Sequence, residues 1–332
     1  MISAYVELSG EAVDLARAEA VSAVEALDGR SLAPDIEPLV RVEVVDEGRL
    51  LRLAERLALA RRCLIRVGEG IDLEASIAAE ATAGESAAFR RLGRSPGGSD
   101  RSVLAAGRSY RASGGTIDLD HPVRRYWIAS DAEGREILLR EIAAVDRRGP
   151  SSRRMPLLPF QRPVSLPPRL ARAAANLARV RPGDRVVDPF LGTGALLAEA
   201  ALLGAHVYGI DRDPEMVRGS IRNFAHLGAV PSRLTEGDAG EVELGAPDET
   251  FDALLTDPPY GRSSWTGGES SSDVVARVLP RWAGRVREGG RLVVVAPSGA
   301  PTVGPPWTIV GRAAVRVHRS LTREFRVYER AV

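Results

Sequence analysis

Apolar positions along the first 145 residues change period several times. "SAYVELS" (3–9) alternates apolar and polar residues as a half-buried strand does, whereas "EAVDLARAEAVSAVEAL" (11–27) repeats apolar residues every three to four positions, as a helix does. "PLVRVEVV" (38–45) predicts a second strand, and "GRLLRLAERLALARR" (48–62) a helix with Leu50, Leu53 and Leu57 in its apolar stripe and arginines on its other faces. "CLIRVGEG", "ESAAFRRLGR" (85–94) and "GGTIDLDHPVRRYWIAS" (114–130) read as strands, the last two separated by a Gly/Ser/Arg-rich stretch. "REILLREIAAV" (135–145) fits both periods. The pattern is that of small α+β pieces.

Six prolines then fall within residues 147–168, at 150, 156, 159, 163, 167 and 168, which predicts a stiff, extended linker. Beyond it strands and helices alternate. Helix "PPRLARAAANLARV" precedes strand "DRVVDPF" (184–190), helix "GALLAEAALLG" (194–204) and strand "HVYGID" (206–211). Helix "PEMVRGSIRNFAHLG" (214–228) leads to strands "SRLTEGDA" (232–239) and "FDALLTD" (251–257). Helix "SDVVARVLPRWAGRV" (272–286) and strand "GRLVVVAPS" (290–298) come next, and "TIVGRAAVRVHRS" and "LTREFRVYER" are expected to pair antiparallel. This order predicts a doubly wound, mostly parallel α/β sheet, whose ligand lies beyond the carboxyl ends of the strands where the strand order reverses.

Composition narrows the class. At 332 residues and 44% hydrophobic, the chain is long enough for two or three cored domains. No apolar run approaches the roughly 18 residues of a membrane span, and the N-terminus lacks the features of a signal peptide, so a cytoplasmic, non-membrane protein is expected. The single cysteine, Cys63, excludes an internal disulfide and a cysteine-based metal site, and its apolar neighbours suggest a core position. His121, His206, His226 and His318 lack metal-ligand spacing, so no metal is expected. Net charge is only +1, but every one of the 45 basic residues is arginine, a planar fork of donors suited to phosphate and to stacking on bases. In "DRRGPSSRRMPLLPFQRPVS" (146–165) five arginines face one aspartate. Arg153, Arg154 and Arg162, with Phe160 as a stacking ring, are candidates for a nucleic-acid track, against the plainer reading of a solvated linker.

The candidate chemistry lies at strand ends. In "DPFLGTG" (188–194), Gly192 and Gly194 let the backbone approach a ligand at a helix start. The dinucleotide fingerprint is incomplete, lacking its third glycine. Asp188 would repel a pyrophosphate but suits a cationic amino-acid ligand such as S-adenosylmethionine, with its ammonium and sulfonium. Asp211, ending "GIDRD", suits both hydroxyls of a ribose, and Asp238, in "EGDA", the amino group of an adenine. Asp213 reads as an N-cap for the helix at 214.

"TDPPY" ends the fourth strand. The exocyclic amine of a nucleobase is a poor nucleophile, because its lone pair is delocalised into the ring. Asp257 and a backbone carbonyl of the rigid Pro258-Pro259 segment are two acceptors that favour a pyramidal nitrogen and aim its lone pair at a methyl carbon, while Tyr260 stacks on the base. Catalysis of this kind is positioning and charge removal, with Asp257 also able to take the proton.

Together "DPFLGTG", "GIDRD", "EGDA" and "TDPPYG" resemble the class I S-adenosylmethionine-dependent methyltransferases that modify exocyclic amines. More narrowly, "FQRPVSLPPRLARAAANLARVRPGDRVVDPFLGTG" and "HRSLTREFRVYE" resemble the archaeal tRNA guanosine-10 N2-methyltransferases, and "ERLALARRCLIRVG", "FRRLGR" and "GGTIDLDHP" resemble their THUMP domain. The resemblance implies a ferredoxin-like part at 1–48, a THUMP domain at 49–146, a Pro/Arg-rich linker at 147–165 and a Rossmann-like methyltransferase domain at 166–332. It implies methylation of guanosine 10 of tRNA, once or twice, with the THUMP domain holding the acceptor end while the base is flipped; a monomer is expected. Asp188, Gly192, Thr193 and Gly194 match the cofactor loop, Asp211 and Asp238 the ribose and adenine acids, and Asp257, Pro258, Pro259 and Tyr260 the catalytic motif. Ser165 and Pro167 match the segment over the methionine end of the cofactor. Leu191 departs from the family's usual cysteine. Competing readings are a ribosomal RNA guanine or DNA adenine/cytosine amino-methyltransferase, an inactive RNA-binding relative, and a nicotinamide-dependent oxidoreductase.

Overall fold

The computed structural model describes residues 1–33, 36–70, 73–93, 100–131, 133–147, 149, 157–162, 165–246, 248–260, 269–297, 300, 302–318 and 321–331. Spatial proximity divides the chain into two units. Met1–Gly10, Leu27–Glu55 and Ala60–Val145 form the first, and Glu11–Ala26, Arg56–Leu59 and Asp146–Val332 the second. Among the described residues no helix is long and apolar enough to cross a membrane.

Strand β1 (Ile2–Leu8) opens the first unit, and helix α1 (Val13–Glu25) follows it but groups with the second. The first unit continues with β2 (Arg30–Ser31), β3 (Leu39–Val44), α2 (Glu47–Arg56), β4 (Ala60–Glu69), α3 (Leu73–Glu80), β5 (Ser86–Arg91), α4 (Arg101–Ala112), β6 (Thr116–Ile117), β7 (Arg124–Ser130) and β8 (Glu136–Ala144). Its eight-stranded sheet has the order β2-β3-β1-β4-β8-β7-β5-β6. β1 runs antiparallel to both neighbours, with Val6 opposite Val40 on one side and Cys63 on the other. Cys63 is fully buried, and burial pushes its thiol up to about 12, so it is an inert core residue. A second cluster gathers Ile77, Phe89, Tyr110 and Tyr126, with Phe89 stacked on Tyr126 at 5.0 Å and Tyr110 edge-on to Phe89 at 5.5 Å.

Several local expectations change here: the helix expected at 48–62 is α2 and ends at Arg56, and residues 60–62 belong to strand β4. The ambiguous segment 135–145 is strand β8, because it pairs antiparallel with both β4 and β7. Residues 114–130 are two strands, interrupted where Asp118 accepts from the backbone N–H of Asp120 (3.0 Å) and His121 (2.9 Å). Helices α3 and α4 had no sequence expectation at all. α3, "LEASIAAE", has little polar contrast between its faces, and α4 carries Gly107 in its middle. α4 is helical because Ala106 and Tyr110 bury one face and Asp100 caps the Val103 N–H (3.3 Å).

The second unit is the predicted doubly wound domain. It comprises α5 (Pro168–Leu177), β9 (Arg185–Asp188), α6 (Ala195–Ala201), β10 (His206–Asp211), α7 (Pro214–His226), β11 (Arg233–Glu236), β12 (Phe251–Thr256), α8 (Ser271–Ala283), β13 (Val286–Pro297), β14 (Trp307–His318) and β15 (Leu321–Arg330), with α1 added. The strand order is β11-β10-β9-β12-β13-β15-β14; the first five are parallel, and β15 is antiparallel to both β13 and β14. Asp213 caps α7 as expected, accepting from Glu215 N (2.8 Å). The core gathers Val187, Ile210, Phe251, Leu254, Trp282, Leu292 and Tyr328, and the indole N–H of Trp282 donates to Ala239 O (2.7 Å). The chain runs outward from β9 through β10 to β11, then returns to place β12 on the other side of β9. The carboxyl ends of β9 and β12 are therefore the reversal point at which such sheets hold their ligands.

Candidate active site

A cavity of about 370 Å³ opens at that reversal point. Asp188, Asp211, Asp238 and Asp257 all line it, together with Gly192, Thr193 and Ser165. Pro258, Pro259, Tyr260 and Arg162 complete the predicted residues on its wall. The physical reason is shared: in a parallel sheet every strand delivers its last residue to the same edge. Pro167 and Gly194 line an adjoining, more apolar cavity of about 270 Å³, which shares Ser165 and Thr193 with the first.

The loop after β9 depends on glycine at two points. Gly192 and Gly194 have φ of 54° and 80°, in the left-handed region. A Cβ on Gly194 would also press on Ser220 and Phe224 of α7 at 3.1–3.2 Å. Two polar residues of α7, unremarked in the sequence, hold this loop from below. Ser220 Oγ donates to Gly192 O (2.9 Å), and Asn223 Nδ2 donates to Thr193 O (3.1 Å) and Phe160 O (3.0 Å). Their signal was two polar residues on the buried face of an otherwise amphipathic helix. Thr193 Oγ1 donates to Ser165 Oγ (3.1 Å), which brings the linker end onto the loop.

The four acids differ in electrostatic state. Asp188 is almost fully buried; its Oδ1 accepts from Phe190 N (2.9 Å) and Thr256 Oγ1 (2.8 Å), and burial pushes its carboxyl up to about 7. Asp211 accepts from Gly192 N (2.7 Å) and Asp213 N (2.9 Å), one on each oxygen, and burial pushes it up to about 6. Asp257 is likewise raised by burial, against the lowering effect of the Arg323 guanidinium bonded to its Oδ2. Asp238 goes the other way. Arg277 bonds both its oxygens (3.0 and 2.9 Å) and Arg212 pairs with it too, which holds its carboxyl well below the usual range. An adenine amine at Asp238 would share a carboxylate already held by two arginines. The hydroxyl of Tyr260 is raised, first by burial and then by the Asp257 charge.

The expected stacking platform takes a different place. Phe160 is only 6% exposed; a Cβ on Gly219 would collide with its ring, and Asn223 Oδ1 accepts its N–H (3.0 Å). Arg162 and Arg222 place their guanidiniums 5.0 and 5.6 Å from its ring centroid, so the ring packs within the protein and is not the exposed stacking platform expected. Arg162 also pairs with Glu215 (2.5 Å). Arg153 and Arg154 lie outside the described residues. Sequence reasoning does not reach Arg323 as a site residue, although it lies in "HRSLTREFRVYE". It stands at the start of β15, opposite Pro297 at the end of β13, and an antiparallel strand brings its beginning to the ligand edge.

A family model, the RMKL-like methyltransferase domain, matches residues 157–301. The chain is 39% identical over 199 residues to the tRNA (guanine(10)-N2)-dimethyltransferase of Methanothermobacter thermautotrophicus, covering 59% of this chain and 58% of that one. It is 33% identical over 251 residues to the tRNA (guanine(6)-N2)-methyltransferase of Thermus thermophilus, covering 72% and 70%. The crystal structure of TrmN from Thermus thermophilus shares the fold, with a TM-score of 0.53 at 22% identity over 99% of this chain and 100% of that one. The chain spans little more than half the length of three of the archaeal guanine(10) enzymes it matches. The Thermus alignment, by contrast, runs through more than two thirds of both partners, and on that breadth the chain belongs to the family of tRNA guanine-N2-methyltransferases.

Proposed function

We propose that this chain transfers methyl groups from S-adenosylmethionine to the exocyclic N2 of a guanosine in tRNA, with position 10 as the expected target and one or two methyls added. The observation that carries the reading is the convergence of four strand-end acids on one cavity, with the only Asp-Pro-Pro-Tyr of the chain at the reversal point. The residues present fit the cofactor. Asp188 offers a buried acceptor to a cation, Asp211 stands where a ribose meets the second strand, and the glycine loop leaves its backbone open between them. Bound there, S-adenosylmethionine would supply an electrophilic methyl on a sulfonium, its S–C bond breaking to a neutral thioether as the amine lone pair forms the N–C bond. The amine gains a positive charge in doing so, and Asp257 receives the proton it must shed. The rigid Pro258-Pro259 segment holds a carbonyl against the second N–H, and Tyr260 fixes the plane of the base.

On this reading the first unit supplies the ferredoxin-like and THUMP parts and binds tRNA, in a cytoplasmic monomer. Incubation of the purified chain with labelled S-adenosylmethionine and an unmodified tRNA transcript, followed by nucleoside digestion, is expected to place label in N2-methylguanosine or its dimethyl form. Label confined to adenosine, or absent from every guanosine, sinks the proposal.

The two raised acids give a pH signature. Asp188 and Asp211, at about 7 and about 6, hold protons that ordinary carboxyls have lost, and a cationic or hydroxyl-bearing ligand favours their ionised forms. Cofactor affinity is therefore expected to fall as pH drops through this window, on the order of tenfold between about pH 7.5 and 5.5 for one coupled proton. Calorimetry at pH 6 in buffers of different ionisation enthalpy should detect proton release on binding; a flat affinity with no proton release contradicts the assignment. The sign is opposite for the stability of the free protein. The stability from keeping these acids protonated is complete below the ordinary carboxyl pKa and lost as pH rises through 6 to 7.

A further inference from the structure

We propose that Arg323 is a positioning residue for the methyl-transfer step, clamping Oδ2 of Asp257 so that Oδ1 is presented to the target amine. The inference rests on the function proposed above and concerns its chemistry at one atom. A carboxylate on a short side chain after a strand end has two oxygens and a free rotor, and productive geometry needs one oxygen at the amine. Arg323 bonds Oδ2, and with only 11% of its side chain exposed it is not a surface cation free to swing away. Its backbone is fixed by the ladder that sets it opposite Pro297 on one side and Val315 on the other. The clamp therefore stands on two paired strands, the kind of support that holds a reacting group to a fraction of an ångström.

The charge around Asp257 makes the clamp consequential. Among the described residues, the ionisable groups around it are Asp188 from the end of β9, Tyr260 from its own segment and Arg323 from β15. Two of these are acids, and burial also disfavours the carboxylate, so among the described residues Arg323 is the group that favours the anion. An anion is what the amine requires, since a protonated Asp257 neither accepts both the hydrogen bond and the proton nor balances the developing positive nitrogen. The pair leaves Asp257 charged without neutralising it at Oδ1.

The test uses the full chain, S-adenosylmethionine and unmodified tRNA transcript, with single-turnover rates across pH. Arg323→Ala is expected to slow transfer about 100-fold, the scale of losing one preorganised donor. It should also move the acidic limb of the rate profile upward by at least about one pH unit, because removing a nearby cation raises a carboxyl. Arg323→Lys should return the limb most of the way, since it restores charge without the fork. Cofactor affinity by calorimetry should stay within about threefold in both variants, as the clamp is directed at Asp257. If Arg323→Ala does not fold, Arg323→Gln reports the same limb. An acidic limb that stays at its wild-type position overturns the proposal, as does cofactor affinity that falls in step with rate. A wild-type chain that labels no guanosine sinks the proposed function itself, whereas normal wild-type transfer with an unmoved limb sinks only the role of Arg323.

Discussion

Asp257→Ala should lose methyl transfer by roughly three orders of magnitude while keeping cofactor affinity nearly unchanged. The size follows from the two tasks proposed for it. A positioned general base contributes about 10² to 10⁴ in rate, and its charge also offsets the positive nitrogen as the bond forms. Cofactor binding is spared because the groups assigned to it, Asp188, Asp211 and the glycine loop, sit on β9 and β10 with hydrogen bonds that do not include Asp257. Asp257→Asn is expected to be no better. Arg323 offers only donors, so the amide would turn its single acceptor toward Arg323 and its NH₂ toward the amine. Single-turnover transfer to tRNA and calorimetry with the cofactor check both halves. An alanine variant within tenfold of wild type would show that the proton leaves by another route.

The second large effect concerns stability. Glu19→Ala should cost about 3 kcal/mol or more, as expected for breaking a buried charged network. Glu19 is fully buried on α1, where its carboxylate accepts from Ala58 N (2.9 Å), Leu59 N (2.8 Å) and Asn176 Nδ2 (2.8 Å). Asn176 in turn accepts from Arg56 Nε (2.8 Å), and Arg56 donates to Val180 O (2.7 Å). Burial acts on both ends of this chain of bonds, raising Glu19 and lowering Arg56 to about 10. Alanine would leave the Ala58 and Leu59 N–H groups and one N–H of Asn176 without their acceptor, and would remove a charge that favours the buried Arg56 cation. For a domain of this size the loss corresponds to a fall in Tm of about 6–12 °C. Glu19→Gln should lie between, because it retains shape and one acceptor. A thermal melt of Glu19→Ala within 2 °C of wild type would mean that the network contributes little.

That network also explains why domain limits were hard to read along the chain. The helical period of 11–27 correctly marks a helix, but nothing local says which unit its buried face meets. Glu19 in the midst of an apolar stripe was the one hint, and its partners lie 39, 40 and 157 residues away. α4 was invisible for a related reason. Its helical state rests on Ala106 and Tyr110 finding a cluster with Phe89 and Tyr126, while its own glycine weakens the local preference. Phe160 shows the limit from the other side, since its composition suggested an exposed stacking ring and Gly219 on α7 made room to bury it.

The sequence by itself determined the parallel sheet, the acid at each of four strand ends, the two glycines of the loop and the proline-rigid end of β12. Each is a local property: period, turn residue or a side chain fixed to the end of a strand. A parallel sheet then brings these ends to one edge without further instruction. Only the tertiary structure decided the electrostatic state of each acid, because burial and distant arginines set it: Asp188 and Asp211 are raised, while Asp238 is held down by Arg277 and Arg212. It alone decided that Arg323, 66 residues beyond Asp257, reaches the same carboxylate. That contact depends on β15 running against the other strands of its sheet, and strand direction is a matter of long-range pairing.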